Sequence, residues 1–377
     1  MKYYLIAGEA SGDLHGSNVM KGLKGADLNA DFRFLGGDMM QSVGGTLVKH
    51  YKEGAVMGIV EIIGKLRKIF KNLSMCKKDI LTYKPDVIIL IDYPGFNIKI
   101  AKFAKKHGIK VFYYIAPKVW AWREYRVKSL KKYVDQLFII FPFEVDYFKK
   151  VGIDAVYEGN PLVDTIINSP AMSESEAEFR ERVSIDTEKP IIALLAGSRV
   201  SEIEYLLPRY VEIAKIFEDK FQFLLATAPS IDRERYDKHL KHSSIVPIAK
   251  ETYSILRWAK AAIIASGTAS LEAALIGTPQ VVGYGGSPIS YSIAKRFVKV
   301  KYISLGNLII DRLAFKELIQ QECTPDNLAS ELSRLLYDTA YISAMTESYN
   351  EIRENLGTPG ASVRIGEAMY KILSSGS

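Results

Sequence analysis

Short apolar runs rich in β-branched residues, separated by longer amphipathic stretches, recur along the chain. Parallel strands are covered by helices on both faces, so continuous apolar runs of this kind indicate a parallel sheet. The pattern therefore predicts an α/β fold. The predicted strands are 3–7, 87–91, 111–115, 136–141, 191–195, 221–226, 261–265 and 280–283.

A polar segment divides this series into two. Single cores stop growing near roughly 250–300 residues, and a chain of 377 residues exceeds that size. We interpret residues 168–175, a serine-rich stretch, as a hinge. The sequence thus predicts two Rossmann-like lobes with parallel sheets facing a central cleft, an N-terminal lobe over 1–167 and a C-terminal lobe over 176–345. Ligands of such sheets bind beyond the carboxyl ends of the strands.

The composition argues against several classes of protein. The two cysteines, Cys76 and Cys323, lie far apart, the five histidines are scattered and no Asp-x-Asp motif occurs, so we expect no disulfide framework, metal site or cofactor. The apolar run at the start is too short for a secretion signal, and no stretch approaches the roughly 18 apolar residues of a membrane span. The net charge of +7 is compatible with anionic substrates or lipids.

Two predicted strands of the first lobe end in acidic loops. Glu9, Ser11 and Asp13 follow the first strand, in a loop whose glycines do not form the G-x-G-x-x-G pattern of dinucleotide sites. Asp92 directly follows the strand 87–91, where the strand emerges at the predicted cleft, and a carboxylate in that place suits a general base. A capped helix with solvated acids, and an Asp92 that only accepts backbone N–H groups of the next turn, remain alternatives.

The second lobe repeats the strand, glycine loop and helix pattern twice. Arg199 stands before a helix whose N-terminus favours anions, with Ser201 and Glu204 as its predicted capping box. Ser266, Gly267 and Thr268 offer hydroxyl and N–H groups to a phosphate, and Glu272 one turn later suits the hydroxyls of a ribose. Ordinary helix capping and a surface arginine are the alternatives.

A basic amphipathic segment lies in the first lobe. Its apolar positions recur at helical spacing beside Lys65, Arg67, Lys68 and Lys71, a combination found both in core helices and in helices at membrane interfaces. Trp120 and Trp122 stand close to further cations, Arg123 and Arg126, without a recognised nucleic-acid motif. The apolar positions are Val56, Met57, Ile59, Val60, Ile63, Leu66, Ile69 and Phe70.

Seven stretches together resemble the lipid-A-disaccharide synthases, a family of GT-B glycosyltransferases. The resemblance runs from Tyr3 to beyond Glu322. The stretches are AGEASGD at 7–13, AVMGIVEIIG at 55–64, IDYPGFN at 91–97, VWAWR at 119–123, AGSRVSEIE at 196–204, ASGTASLEAAL at 265–275 and YISLGNLI at 302–309.

This resemblance implies an inverting, metal-independent transfer of diacylglucosamine from its UDP donor to diacylglucosamine 1-phosphate. It implies Asp92 as base with Glu9 beside it, Ser11 and Asp13 on the acceptor side, and Arg123 and Arg126 near the acceptor phosphate or lipid headgroups. Donor contacts would be Arg199, Ser266, Gly267, Thr268, Glu272 and Asn307, and the segment 56–70 would meet acyl chains and the cytoplasmic face of the inner membrane.

The resemblance also implies that a C-terminal helical segment, 346–377, packs back on the first lobe, and a homodimer is compatible with it. The chain departs from the family at three positions: Gly95 stands where many relatives have an acid, Ala196 replaces a proline and Asn160 replaces a histidine. A UDP-N-acetylglucosamine epimerase and a non-enzymatic membrane binder remain alternatives.

Overall fold

The computed structural model describes residues 1–54, 62–120, 124–185, 187–286 and 301–375. The chain forms two compact units, residues 1–161 with 357–377 and residues 162–356. The sequence predicted boundaries at 167, 176 and 345, whereas the units divide between 161 and 162 and between 356 and 357. Within the described residues, no helix is long and apolar enough to cross a membrane.

The first unit is built on a parallel sheet with the order β3-β2-β1-β4-β5-β6-β7. Its central strands β1, β4 and β5 are almost wholly buried, because helices cover both faces. The strands are β1 Lys2–Ala7, β2 Asp31–Gly36, β3 Thr46–His50, β4 Val87–Ile91, β5 Lys110–Tyr114, β6 Gln136–Ile139 and β7 Ala155–Tyr157. The helices are α1 Ala10–Ala26, α2 Asp38–Val43, α3 Ile62–Tyr83, α4 Pro94–Lys106, α5 Val127–Tyr133 and α6 Phe143–Lys150.

The last described helix belongs to this first unit. Ile365, Met369 and Leu373 of this helix are buried in the same core as β1 and α1. The helix lies so close to α1 that a Cβ on Gly366 would stand 2.6 Å from the backbone of Gly22, so a side chain there would force the two helices apart. This close contact places the C-terminal helix, Ala361–Ser374, on the N-terminal sheet.

The second unit repeats the architecture with the strand order β10-β9-β8-β11-β12-β13. The strands are β8 Ile191–Leu195, β9 Gln222–Thr227, β10 Val246–Ala249, β11 Ala259–Ala265, β12 Gln280–Tyr284 and β13 Glu317–Ile319. The helices from α7 on are α7 Pro161–Ile167, α8 Glu176–Arg182, α9 Val200–Phe217, α10 Arg233–Leu240, α11 Thr252–Trp258, α12 Thr268–Ile276, α13 Leu305–Ile309, α14 Pro325–Tyr337 and α15 Thr339–Leu356, with Ala361–Ser374 as α16.

The prediction of two Rossmann-like units with parallel sheets is confirmed. All eight predicted strands are present, with ends that differ by at most two residues. The sequence pattern missed β2, β3, β7, β10 and β13, which flank the central strands. Strands toward the edge of a sheet are less completely buried, so the apolar run that revealed the central strands is weaker in them.

Candidate functional site

The loop after β4 has an unusual backbone. Asp92 and Tyr93 have φ angles of +44° and +46°, in the left-handed region that side chains other than glycine rarely adopt. Three hydrogen bonds hold the turn: the Asp92 N–H donates to the Tyr114 carbonyl, and the Asp92 carbonyl accepts from Tyr113 Oη at 2.6 Å and Asn97 Nδ2 at 2.7 Å. Strained residues fixed by their surroundings are frequent in functional sites.

This turn directly contacts the loop after β1. A Cβ at Gly8 would lie 2.4 Å from Cγ of the Tyr93 ring, so only glycine permits the approach. Burial raises the pKa of Asp92, the negative charge of Glu9 raises it further, and the Tyr93 N–H and Lys118 oppose the shift. The structure thus brings Glu9 near Asp92, as the family resemblance implies. It adds Lys118, which no sequence signal had singled out.

The other acidic-loop residues have internal partners. Ser11 Oγ donates to Glu9 Oε1 at 2.7 Å. The buried Asp13 carboxylate accepts the N–H groups of Gly37, Met39 and Met40 at 2.7–3.1 Å, so it caps α2. Asp13 therefore shapes the loop from beneath, through the backbone, rather than with a free carboxylate.

A buried acid fixes the loop that follows β5. Glu144 accepts hydrogen bonds from Trp120 Nε1 at 2.9 Å and from the Ile140 and Phe141 N–H groups at 3.2 and 3.1 Å. Burial nevertheless raises the pKa of Glu144 to about 7. Burial raises the pKa of Tyr113, and the charge of the nearby Arg126 opposes that rise, whereas Arg123 is outside the described residues. The sequence had indicated Trp120 but not its acidic partner.

In the second unit, the loops after β8, β9 and β11 enclose a cavity of about 300 Å³. The α12 N-terminus and the α9 N-terminus both open onto it, and free N-terminal N–H groups favour an anion. Gly197, with φ of +95°, turns the chain between β8 and α9. Five of the predicted donor contacts line the cavity: Arg199, Ser266, Gly267, Thr268 and Glu272.

The start of α9 differs from the sequence prediction. The helix begins at Val200 with Arg199 at its N-cap, and Glu202 Oε2 accepts the N–H groups of Ser198 and Arg199 at 3.1 and 3.2 Å. The predicted capping box of Ser201 and Glu204 is therefore wrong. The Arg199 side chain is 76% exposed and only lightly held, by Glu202 at 3.1 Å, so its guanidinium remains accessible to an anionic ligand.

Asn307 does not line this cavity. Both ends of its buried carboxamide are occupied: Oδ1 accepts the Ala314 N–H, and Nδ2 donates to the Phe315 carbonyl and to Glu317. Glu317 in turn accepts the N–H groups of residues 303 and 304, and Ser266 Oγ donates to the carbonyl of residue 303 at 3.3 Å. A direct contact between Asn307 and a bound nucleotide stays a prediction.

The predicted apolar surface is described only at its end. Val56, Met57, Ile59 and Val60 lie outside the described residues, and for Ile63 and Leu66 only the helical backbone of α3 is described. Ile69 packs partly on the core of the first unit, whereas Phe70 is 60% exposed with Lys99 Nζ 5.3 Å from its ring centroid. Among the described residues, no cluster of three His, Cys, Asp or Glu side chains suits a metal ion.

Comparison with known proteins adds a family to this geometry. The family model described as lipid-A-disaccharide synthetase matches residues 3–363. Lipid-A-disaccharide synthase of Geobacter metallireducens is 38% identical over 374 residues, covering 98% of this chain and 96% of the relative. The Myxococcus xanthus enzyme of the same name is 37% identical over 377 residues, covering 99% and 97%.

Solved structures resemble this chain in fold. S. aureus MnaA, solved with UDP, has a TM-score of 0.71 at 13% identity, covering 99% of this chain and 97% of that one. The UDP-GlcNAc 2-epimerase of Neisseria meningitidis, solved with UDP-GlcNAc, has a TM-score of 0.66 at 14% identity, covering 98% and 100%. Identities this low establish a shared two-domain architecture and no more.

Proposed function

This chain belongs to the lipid-A-disaccharide synthetase family, a family of glycosyltransferases in lipid A biosynthesis, and on that premise we propose its reaction in detail. It joins UDP-2,3-diacylglucosamine to 2,3-diacylglucosamine 1-phosphate, giving a β-1,6-linked disaccharide 1-phosphate and UDP. The observation that carries the assignment is the cavity of the second unit, where Arg199, Ser266, Thr268 and Glu272 combine a cation, hydroxyls, a helix N-terminus and a carboxylate.

Asp92 is the proposed general base. Its carboxylate takes the proton of the acceptor 6-hydroxyl as that oxygen bonds to the anomeric carbon of the donor and the bond from that carbon to UDP breaks. A raised pKa suits this role because it makes the ionised carboxylate a stronger base. Glu9 contributes to that raised pKa, and Ser11 orients Glu9. Asp13 keeps the loop in shape through its contacts with α2.

Departure of UDP places negative charge on its diphosphate. In this proposal the Arg199 guanidinium and the N–H groups of Gly267 and Thr268 neutralise that charge. The Ser266 hydroxyl becomes a further donor when it turns from the carbonyl of residue 303 to the diphosphate. Glu272 accepts the ribose hydroxyls. Arg123 and Arg126 are proposed to bind the acceptor phosphate or lipid headgroups.

The same proposal includes peripheral attachment to the cytoplasmic face of the inner membrane. The support is the exposed Phe70 ring beside Lys99, at the end of a segment whose sequence is apolar and basic. Vesicle sedimentation tests this point. Phe70→Ser should reduce binding to anionic vesicles, and unchanged binding would argue against Phe70 as a membrane contact.

The reaction is tested with purified protein, both diacylated substrates and detergent, with EDTA present. We expect UDP and disaccharide in equal amounts. A second arm supplies UDP-N-acetylglucosamine alone, which should remain unchanged, since its epimerisation would support the epimerase alternative. Absence of UDP release with both diacylated substrates would refute the proposed reaction.

A further inference from the structure

A second cavity adjoins the cavity of about 300 Å³ that Arg199 and Glu272 line. It has a volume of about 570 Å³ and reaches from Glu272 toward the N-terminus of α11. The two cavities share Thr227, Pro229, Thr252 and Glu272, so Glu272 stands where they meet. Tyr253 lines the second cavity, and its Oη donates a hydrogen bond to Glu272 Oε1 at 3.3 Å. The proposed reaction gives this tyrosine no role.

The helix that carries Tyr253 is held firmly within the second unit. Ser254 Oγ donates to Glu174 Oε2 at 3.3 Å, and Arg257 Nη1 donates to the Ala171 carbonyl at 2.6 Å. Arg182 pairs with both Glu174 and Glu251, the residue before α11. Ile255 and Leu256 are fully buried beneath. A side chain on such a helix keeps one position, which is what a residue that orients another requires.

We propose that Tyr253 is a positioning residue that holds Glu272 with one carboxylate oxygen free for the ribose, and so determines how strongly the site prefers ribonucleotides to 2′-deoxyribonucleotides. This inference rests on the proposed function, in which Glu272 accepts the ribose hydroxyls. With Oε1 already engaged by the phenol, rotation of the carboxylate is restricted, and Oε2 is left to accept from the ligand.

The electrostatics of the pair support this role. Burial raises the pKa of Glu272, and the hydrogen bond from Tyr253 opposes that rise. Without the phenol, Glu272 would be more readily protonated, and a protonated acid is a poorer acceptor for two hydroxyls. The hydroxyl of Tyr253 therefore favours the ionised form that recognises a ribose. The benefit is greatest for a ligand that carries both hydroxyls, and a 2′-deoxyribose, which donates only its 3′-hydroxyl, gains less from it.

Titration calorimetry with UDP and 2′-deoxy-UDP tests the inference. Wild-type protein should bind UDP more tightly than 2′-deoxy-UDP. Tyr253→Phe should weaken UDP about five- to tenfold, within the range of one ordinary net hydrogen bond, and change 2′-deoxy-UDP less than about twofold. Tyr205→Phe is the matched control, because it removes a phenol that donates to the Gln320 carbonyl outside both cavities. The control should leave both affinities unchanged.

A double-mutant cycle tests whether Tyr253 acts through Glu272. In a Glu272→Ala background, Tyr253→Phe should have no further effect on UDP. Equal losses for both nucleotides would overturn the inference in favour of a purely structural role, and unchanged affinities would overturn it as well. Wild-type protein that does not bind UDP would refute the proposed nucleotide site itself. The wild-type titration therefore distinguishes failure of the proposed function from failure of the inference about Tyr253.

Discussion

The two units place different chemistry at the same position of the same fold. At the end of β4, the first unit has two consecutive residues with left-handed backbone and an acid whose pKa is raised by burial and by Glu9. At the ends of β8 and β11, the second unit has a glycine turn, two helix N-termini and an exposed arginine. One loop set is suited to accept a proton and the other to bind an anion.

This difference shows how a repeated architecture can separate catalysis from affinity. Anion binding at helix N-termini needs only N–H groups and a cation, so it tolerates an open and unstrained loop. Proton transfer needs an acid with a tuned pKa in a fixed position, and the strained turn at Asp92 and Tyr93 provides the fixed position. Substitutions in the first unit should therefore change kcat, and those in the second should change nucleotide affinity.

The largest expected effect is that of Asp92→Asn. Removal of a general base reduces kcat by about 10²–10⁴-fold, and UDP affinity measured by calorimetry should stay within about twofold of wild type. Asp86→Asn is the matched control. Asp86 precedes β4 and accepts the Lys2 N–H at the amino-terminal ends of the strands, away from Asp92. If UDP affinity fell together with kcat, the first unit would contribute to nucleotide affinity as well as to catalysis.

The next effect concerns the stability of the first unit. The pKa of Glu144 is raised to about 7, so the folded state favours the protonated acid. Stability from this group is fully present below its ordinary pKa near 4.5 and is lost as pH rises through 7. A rise in the pKa of Glu144 from 4.5 to about 7 corresponds to about 3 kcal/mol of stability. Urea unfolding should therefore show a decline in wild-type stability between pH 5 and 8 that is shallower in Glu144→Gln. An identical slope in the two proteins would contradict the assignment.

Arg199→Ala tests the second unit. Loss of one charge-assisted contact with the diphosphate should weaken UDP about 10- to 100-fold in calorimetry, and kcat at saturating donor should change less. Arg233→Ala serves as control, since that arginine is also exposed but pairs with Asp237 on α10. A loss confined to kcat would place Arg199 among the groups that serve only the transition state.

Much of this comparison could be predicted from the sequence. The apolar runs of β1, β4, β8 and β11 revealed the strands whose ends carry the chemistry, because central parallel strands are buried on both faces. Glycine and hydroxyl residues after β8 and β11 likewise predicted the loops, since their conformational needs are local. Asp92 and Glu272 stood out as acids in otherwise apolar surroundings.

Other features depend on contacts distant in sequence and were missed. Glu144 reaches Trp120 across 24 residues, and Tyr253 reaches Glu272 across 19, so no short motif contains either pair. The carboxamide of Asn307 is bonded to residues 314–317, which only the folded loop brings near, and these partners were not predicted. A sequence pattern identifies a polar residue, and the fold determines which partner it meets.

The smallest expected effect is a shift in the pH dependence of kcat. Asp92 must be ionised to act as a base, and its raised pKa places the acidic limb of the profile above the ordinary range for aspartate. Glu9→Gln removes the second largest cause of that rise, so the limb should move toward lower pH. Ser11→Ala, which removes only the hydroxyl that donates to Glu9, should leave the limb near its wild-type position. The profile is measured at saturating donor, so that nucleotide affinity does not contribute. A limb that moved to higher pH in Glu9→Gln would show that Glu9 acts on Asp92 through structure rather than charge. In that case, only the strained backbone at Asp92 and Tyr93 would distinguish the proton-accepting loops of the first unit from the anion-binding loops of the second.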